Sequence, residues 1–206
     1  MITVVINTHN EEEHIRDCVL SAKLLTSHIL VVDMESTDKT REIAKKYTNN
    51  IFLHEKIGYV EPARNFAIGK AKGEWILVLD ADEEISPKLS QTLQSLATEK
   101  SEIAVIALPR KNIIFGKWIQ HSGWWPDHLI RFFKKETVTW KNAIHSVPET
   151  KGNIRKLSGE EDAILHHNYQ TLGQFLYKSL FVYAAREADD LAEEGYTFDY
   201  RDAIRL

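Results

Sequence analysis

The sequence predicts an α/β protein: a mainly parallel central sheet with helices on both faces, followed by a C-terminal helical extension. Three observations predict it. Short apolar runs alternate with amphipathic segments up to Ser86, several of those runs stop abruptly at Asn or Asp, and beyond Tyr169 a single helical period takes over. A chain of 206 residues, 43% hydrophobic and 27% charged, is long enough for one sizeable core and an appendage.

Each element has a local reason. ITVVIN, Ile2 to Asn7, reads as a buried strand, and NEEEHIRDCVLSAK follows as a helix with Asn10 as its N-cap and acids in its first turn. His28 to Asp33 is a second strand; STDKTREIAKKY is a helix capped by Ser36 or Thr37, with Ile43, Ala44 and Tyr47 turned inward. IFLHE is a third strand, and VEPARNFAIGKAKG is a helix with Pro62 near its start and Gly73 at its end. WILVLD, Trp75 to Asp80, is a fourth strand, apolar up to its last residue. SPKLSQTLQSLATE reads as a helix with Pro87 in its first turn, and EIAVIALPRKNIIF as a strand entering a loop. From Gly116 to Val147, four of the five tryptophans and three histidines mix with Gly, Pro and basic residues, which predicts irregular backbone around a site. TLGQFLYKSLFVYAAREADDLAEEG is a long helix whose stripe of Phe175, Leu176, Leu180, Tyr183 and Leu191 admits packing on the sheet domain, a homodimer or contact with a bilayer. Its acidic end disfavours anionic lipid, so packing or dimerisation is expected. The expected division is 1–168, with halves 1–100 and 101–168, and an extension 169–206 that is compatible with truncation of a longer protein.

Composition removes several classes of function. A formal net charge of -4 without a long Lys/Arg block argues against nucleic acid as a partner. The single cysteine, Cys18, has no partner for an internal disulfide and reads as a small core residue; the first residues lack the pattern of a signal peptide. A cytoplasmic location is therefore expected. No run reaches the roughly 18 apolar residues of a membrane span, which leaves peripheral attachment at the inner face of the membrane open.

The site is expected at the carboxyl ends of the strands, where ligands sit in open α/β sheets. Asp33 and Asp80 end two strands, while Thr8, His9 and Asn10 follow another. Around Asp80 the charge is dense: DADEE places Asp80, Asp82, Glu83 and Glu84 within five residues. In an extended segment Asp80 and Asp82 point to one side and approach a hard cation together, which suits Mg2+ or Mn2+ with a nucleoside diphosphate. A solvated acidic turn is the competing reading.

The motifs VVINTHNEEEHI, ILVVDMESTDKT, PARNFAIGKAKGEWILVLDADEE and, less tightly, GWWPDHLIRFF resemble successive motifs of the family 2 glycosyltransferases, which have the GT-A (nucleotide-diphospho-sugar transferase) fold. PRKNIIFGKWIQHSGWWPD and ILHHNY are most similar to the lipopolysaccharide-core glucosyltransferase-like branch. The resemblance implies a metal-dependent, inverting transfer from a nucleotide-sugar donor, UDP-linked, to a hydroxyl of a cell-envelope glycan or lipid-linked acceptor. It places Thr8 and Glu11 in the nucleobase pocket, Asp33 on a uracil-type ring NH, Arg64 near base and ribose, Asp80 near ribose and metal, and Asp82 on the metal. Arg131 is the expected second cation for the diphosphate, with a surface cation beside Lys134 and Lys135 as the alternative. Asp127, ahead of Glu149, is the expected catalytic base, and His145 or His166 would complete the metal shell. Relatives carry a His-Glu pair where His145 is followed by Ser146, which leaves the base open. Trp124 and Trp125 are expected near the acceptor sugar, with a membrane interface or core packing as the alternatives. Two other functions compete. A sugar nucleotidyltransferase would need a glycine-rich basic loop where this chain has NTHNEEEHI, and a catalytically silent nucleotide-sugar or glycan-binding module would bind donor without turnover.

Overall fold

The computed structural model describes residues 1–56, 60–141 and 147–184, and beyond them Ala188, Leu191, Ala192 and Gly195. Two units separate by their contacts: Met1–Ile113 with Trp118–Asn168, and Ile114–Lys117 with Tyr169–Leu206.

In the larger unit the predicted alternation is present: β1 (Ile2–Thr8), α1 (Ile15–Ala22), β2 (Ile29–Asp33), α2 (Thr40–Ala44), β3 (Ile51–Leu53), α3 (Glu61–Lys70) and β4 (Trp75–Asp80). Then follow β5 (Glu83–Glu84), α4 (Pro87–Thr98), β6 (Val105–Ile114), β7 (Lys117–Trp118), β8 (Asp127–Lys134), β9 (Val138–Thr139), β10 (Glu149–Thr150), β11 (Ile154–Lys156) and β12 (Ile164–Tyr169). The main sheet has the order β3-β2-β1-β4-β8-β6-β12-β5, with β7 and β11 added against β6; β9 and β10 form a separate ladder. β3, β2, β1 and β4 are parallel, whereas β8 runs antiparallel between β4 and β6, so the sheet is mixed.

Alternation along the strands builds two cores. Val4, Ile6, Val31, Leu77 and Leu79 meet α1 and α4 through Ile15, Val19, Leu89 and Leu93; Val5, Val32, Ile76 and Val78 meet α3 through Ala63, Ala67 and Ile68. The adjacent Phe132 and Phe133 of β8 are fully buried, one in each core, and Phe132 stacks on Trp75 with centroids 4.7 Å apart. Full burial stabilises by about 1.5–3 kcal/mol per side chain, which makes HLIRFF a central strand. This corrects the expectation of irregular backbone for residues 127–134; the turn before β8, where the Trp125–Pro126 peptide is cis, is irregular as expected.

Helix boundaries also differ. Asn10 does not cap α1: it sits at φ 53, and its Oδ1 accepts from Thr37 N at 2.8 Å, tying together the loops after β1 and β2. Ser36 accepts from Asn10 N, so the donor at the start of α2, Thr40 N, is met by Asp38 Oδ1. Ser86 caps α4, accepting from Leu89 N at 2.9 Å.

In the smaller unit Phe115 N donates to Tyr169 O, and Phe175 packs edge-on against both rings. α5 (Leu172–Tyr177) passes into a π-helical segment over Lys178–Tyr183, in place of one regular helix. Leu176, Tyr177, Leu180 and Phe181 are exposed. Among the described residues no helix is long and apolar enough to cross a membrane.

Candidate active site

The parallel register of β1 with its neighbours sets the site's floor. Thr8 pairs with Asp33, and Asn7 pairs with Asp80. Asp33 is 0% exposed; its Oδ2 accepts from Ser36 N at 3.1 Å and lies 3.6 Å from Arg41 Nε. Its Oδ1, Thr8 Oγ1 and both amide atoms of Asn7 are buried without a hydrogen-bond partner. Leaving such an atom unmade costs about 1–3 kcal/mol, so four of them at adjacent strand ends single out this edge as a candidate ligand site. Glu11 N donates to Thr40 Oγ1, which sets the approach of the loop to this edge.

At Asp80 the chain turns. Ala81 and Asp82 form a tight reversal that brings β5 antiparallel to β12, with Glu83 opposite His166 and Leu165 opposite Glu84. The extended Asp80-Ala81-Asp82 segment expected from the sequence is therefore absent, and the two carboxylates meet different partners. Arg64 on α3 donates to Asp80 Oδ1 and Oδ2 at 2.8 and 2.9 Å, and Arg131 on β8 donates to Asp80 Oδ2 at 2.6 Å and to Glu83 Oε1 at 2.8 Å. Burial alone would raise the Asp80 carboxyl; Arg131 and Arg64 outweigh it and hold it well below the usual carboxylate range. Arg131 is likewise kept charged: burial opposes the charge, and Asp80 and Glu83 more than restore it. The Nε atoms of Arg64 and Arg131 remain buried without a partner.

The array continues. Arg110 on β6 donates to Glu83 Oε1 at 3.3 Å and, through Nε and Nη2, to Asp127 Oδ2 at 2.9 and 2.7 Å. Asn112 Nδ2 donates to the same Asp127 oxygen at 3.2 Å, and this contact orients the amide so that Oδ1 faces His166 Nδ1 at 2.7 Å. His166 then donates through Nδ1, and its Nε2 lies 3.4 Å from Asp82 Oδ2. Adjacent ligands of a Mg2+-sized ion at 2.0–2.1 Å lie about 3 Å apart, so the pair fits a divalent metal with open positions. Among the described residues no group of three or more His, Cys, Asp or Glu is placed to hold a metal ion.

Beside this pair, His167 Nε2 lies 2.8 Å from Glu84 Oε1, and its ring stacks on His14 at 5.3 Å. Burial and then the His167 charge lower the His14 pKa from 6.5. Cys18 is buried; burial, then Glu83 and Asp82, push its thiol well up, so it stays protonated. Trp125 packs edge-on against Trp118, which lies under Lys111 Nζ, and Trp124 contributes its carbonyl to Asn112.

Of the expected site residues, Arg64, Asp80, Arg131 and Asp127 are brought into one array, and Thr8 with Asp33 into a neighbouring one. Glu149 is not: it lies in the β9–β10 ladder, 68% exposed in its side chain and paired with Lys141. His145 and Ser146 lie outside the described residues. Glu83, Arg110, Asn112 and Asn7 were not expected in the site. Only Glu83 had a sequence signal, as the acid of DADEE that cannot face solvent if β5 is paired.

A mixed sheet whose strand ends gather unpartnered polar atoms and a turn rich in acids is the frame of a GT-A sugar transferase. Residues 3–158 match the family described as Glycosyl transferase family 2. The chain belongs to that family and is a glycosyltransferase. It is 29% identical over 209 residues to an uncharacterized glycosyltransferase of Rickettsia typhi, covering 96% of this chain and 70% of that protein. It is 33% identical over 107 residues to the uncharacterized glycosyltransferase YibD of Escherichia coli, covering 48% of this chain and 30% of that one. Among solved structures, S. aureus TarS 1-349 superposes with a TM-score of 0.57 at 20% identity, over 86% of this chain and 62% of that chain. A Pyrobaculum calidifontis mannosyltransferase, in complex with GDP-Man and Mn2+, gives 0.57 at 15% identity over 80% and 56%. This chain thus spans about 70% of the R. typhi relative and less than two thirds of either solved chain.

Proposed function

We propose that the protein transfers a sugar, with inversion, from a UDP-linked donor to a hydroxyl of a cell-envelope glycan or lipid-linked acceptor, assisted by Mn2+ or Mg2+. The observation that carries this reading is the row of unpartnered buried atoms on Asn7, Thr8 and Asp33 beside the Asp82–His166 pair. Asp33 Oδ1 is an acceptor suited to the N3–H of uracil, and Glu11 borders that edge. Arg64 and Arg131 fix Asp80 and offer their remaining Nε donors to ribose or phosphate oxygens. Asp82 and His166 would hold the divalent ion, which supplies charge neutralisation for the departing diphosphate; family membership and the Mn2+ complex of the P. calidifontis enzyme support a metal of this kind.

Asp127 is the proton acceptor in this mechanism. Its three contacts all fall on Oδ2, which leaves Oδ1 for the acceptor hydroxyl. The hydroxyl oxygen attacks the anomeric carbon, the bond from that carbon to the diphosphate oxygen breaks on the opposite face, and the hydroxyl proton passes to Asp127. Trp124 and Trp125, just before Asp127 in the chain, would border the sugar. A peripheral location at the inner face of the membrane suits a lipid-linked acceptor.

The test is calorimetric titration with UDP, GDP and CDP, with and without Mn2+. UDP-selective, Mn2+-dependent binding that Asp82→Ala abolishes while the fold persists is the expected result. Equal affinity of wild type and Asp82→Ala for UDP in Mn2+ would remove the metal role, and no binding of any diphosphate would remove the donor site.

A further inference from the structure

We infer that Glu83 is a positioning residue for the transfer step, coupling Asp80 on the donor side to Asp127 on the acceptor side. The inference rests on the function proposed above and deepens it. Glu83 is 0% exposed, and both of its carboxylate oxygens are already engaged by groups of the protein. The β5–β12 pairing carries it inward, where Oε2 accepts from Asp80 N at 3.0 Å and closes the turn. Oε1 takes Arg131 at 2.8 Å and Arg110 at 3.3 Å. Each of these guanidiniums is shared with an outer acid: Arg131 with Asp80, Arg110 with Asp127. The order Arg64, Asp80, Arg131, Glu83, Arg110, Asp127 alternates in sign, and Glu83 is the acid flanked by a cation on each side that itself touches an outer acid.

An apolar side chain of similar volume commonly stabilises a core as well as a buried ion pair does, so packing alone does not call for a carboxylate here. What the charge does is divide each guanidinium between two anions. Without it, Arg110 turns to Asp127 alone and draws that carboxylate out of position, and the turn loses the bond that holds Asp80 N.

The experiment compares wild type, Glu83→Gln, Asp127→Asn and the double variant. Two quantities are read: the Kd for UDP in Mn2+, and the rate of UDP release in Mn2+ without acceptor from whichever of UDP-glucose, UDP-galactose and UDP-N-acetylglucosamine the wild type hydrolyses fastest. Glu83→Gln is expected to keep Kd within about 3-fold and to slow release by roughly 30-fold or more, with little further loss when added to Asp127→Asn, because the two residues act through one proton acceptor. Release within about 3-fold of wild type, losses that multiply in the double variant, or equal losses in binding and rate would each overturn the inference. Should Glu83→Gln fail to fold by circular dichroism, Glu83→Asp takes its place: it keeps the charge but is too short to hold Arg131 and Arg110 together, and must give the same split. A wild-type protein that neither binds UDP nor releases it overturns the donor reading and this inference together; turnover without the split overturns the inference alone.

Discussion

A buried carboxylate bonded through one oxygen lacks half of its expected partners, and Asp33 is in that state, with Oδ2 held by Ser36 N and Oδ1 unmet. If Oδ1 accepts the base NH, Asp33→Asn replaces a charged acceptor with a neutral amide, and affinity for UDP should fall about 10–100-fold, the equivalent of one charge-assisted hydrogen bond. Calorimetry with UDP and a parallel urea titration would separate this from unfolding; unchanged affinity would place the base elsewhere. Asp33, Asp80 and Asp82 were legible in the sequence because an apolar strand ending in an acid identifies both the strand and its ligand-facing end. Arg110 and Asn112 join them from β6, and no local pattern announces a pairing across that separation; His166, on β12, was legible only as one of two candidates for the metal shell. Arg131 was expected as a cation for the diphosphate, but its burial between Asp80 and Glu83 was not legible, since the burial of its neighbours Phe132 and Phe133 depends on where β8 is inserted.

At the scale of elements, the parallel half of the sheet follows from strand-helix alternation, whereas the antiparallel insertion of β8 does not. HLIRFF lacks the strict polar alternation of a half-buried strand because both faces are covered, and the preceding Gly, Trp and Pro pointed to irregular backbone. Gly73 shows a similar limit. It was read as the end of a helix, but α3 stops at Lys70, and a Cβ at Gly73 would lie 2.7 Å from both Thr3 N and Thr3 Oγ1 and 2.9 Å from Met1 O. Two of these atoms are backbone of β1 and its approach, so they cannot rotate away. Gly73→Ala should therefore destabilise the protein by about 1–3 kcal/mol, seen as a lower urea midpoint with an unchanged m-value. A midpoint equal to that of wild type would show that the β1 edge moves freely.

For the whole molecule, proton uptake links stability to pH. The folded-state pKa of His14 is depressed by burial and His167, so the unfolded chain binds the proton more readily. Its penalty is absent at high pH, grows as pH falls through 6.5 and levels off below the folded value. The urea midpoint should drop between about pH 8 and pH 5.5, and His14→Asn should flatten part of that slope; an identical slope in the variant would assign the effect to other groups. The Asp80 carboxyl acts lower down: its depressed pKa contributes stability that is intact above about pH 4 and fades only in stronger acid. The alternating acids and guanidiniums around Glu83 have one further effect on the molecule. Because each of these side chains is already gripped by an opposite charge, the pocket is set when the chain folds and does not wait for its ligand. The ordering loss that a loose polar pocket incurs on binding, about 0.5–1.5 kcal/mol for each side chain immobilised, is absorbed beforehand, so a donor arrives at a rigid receptor.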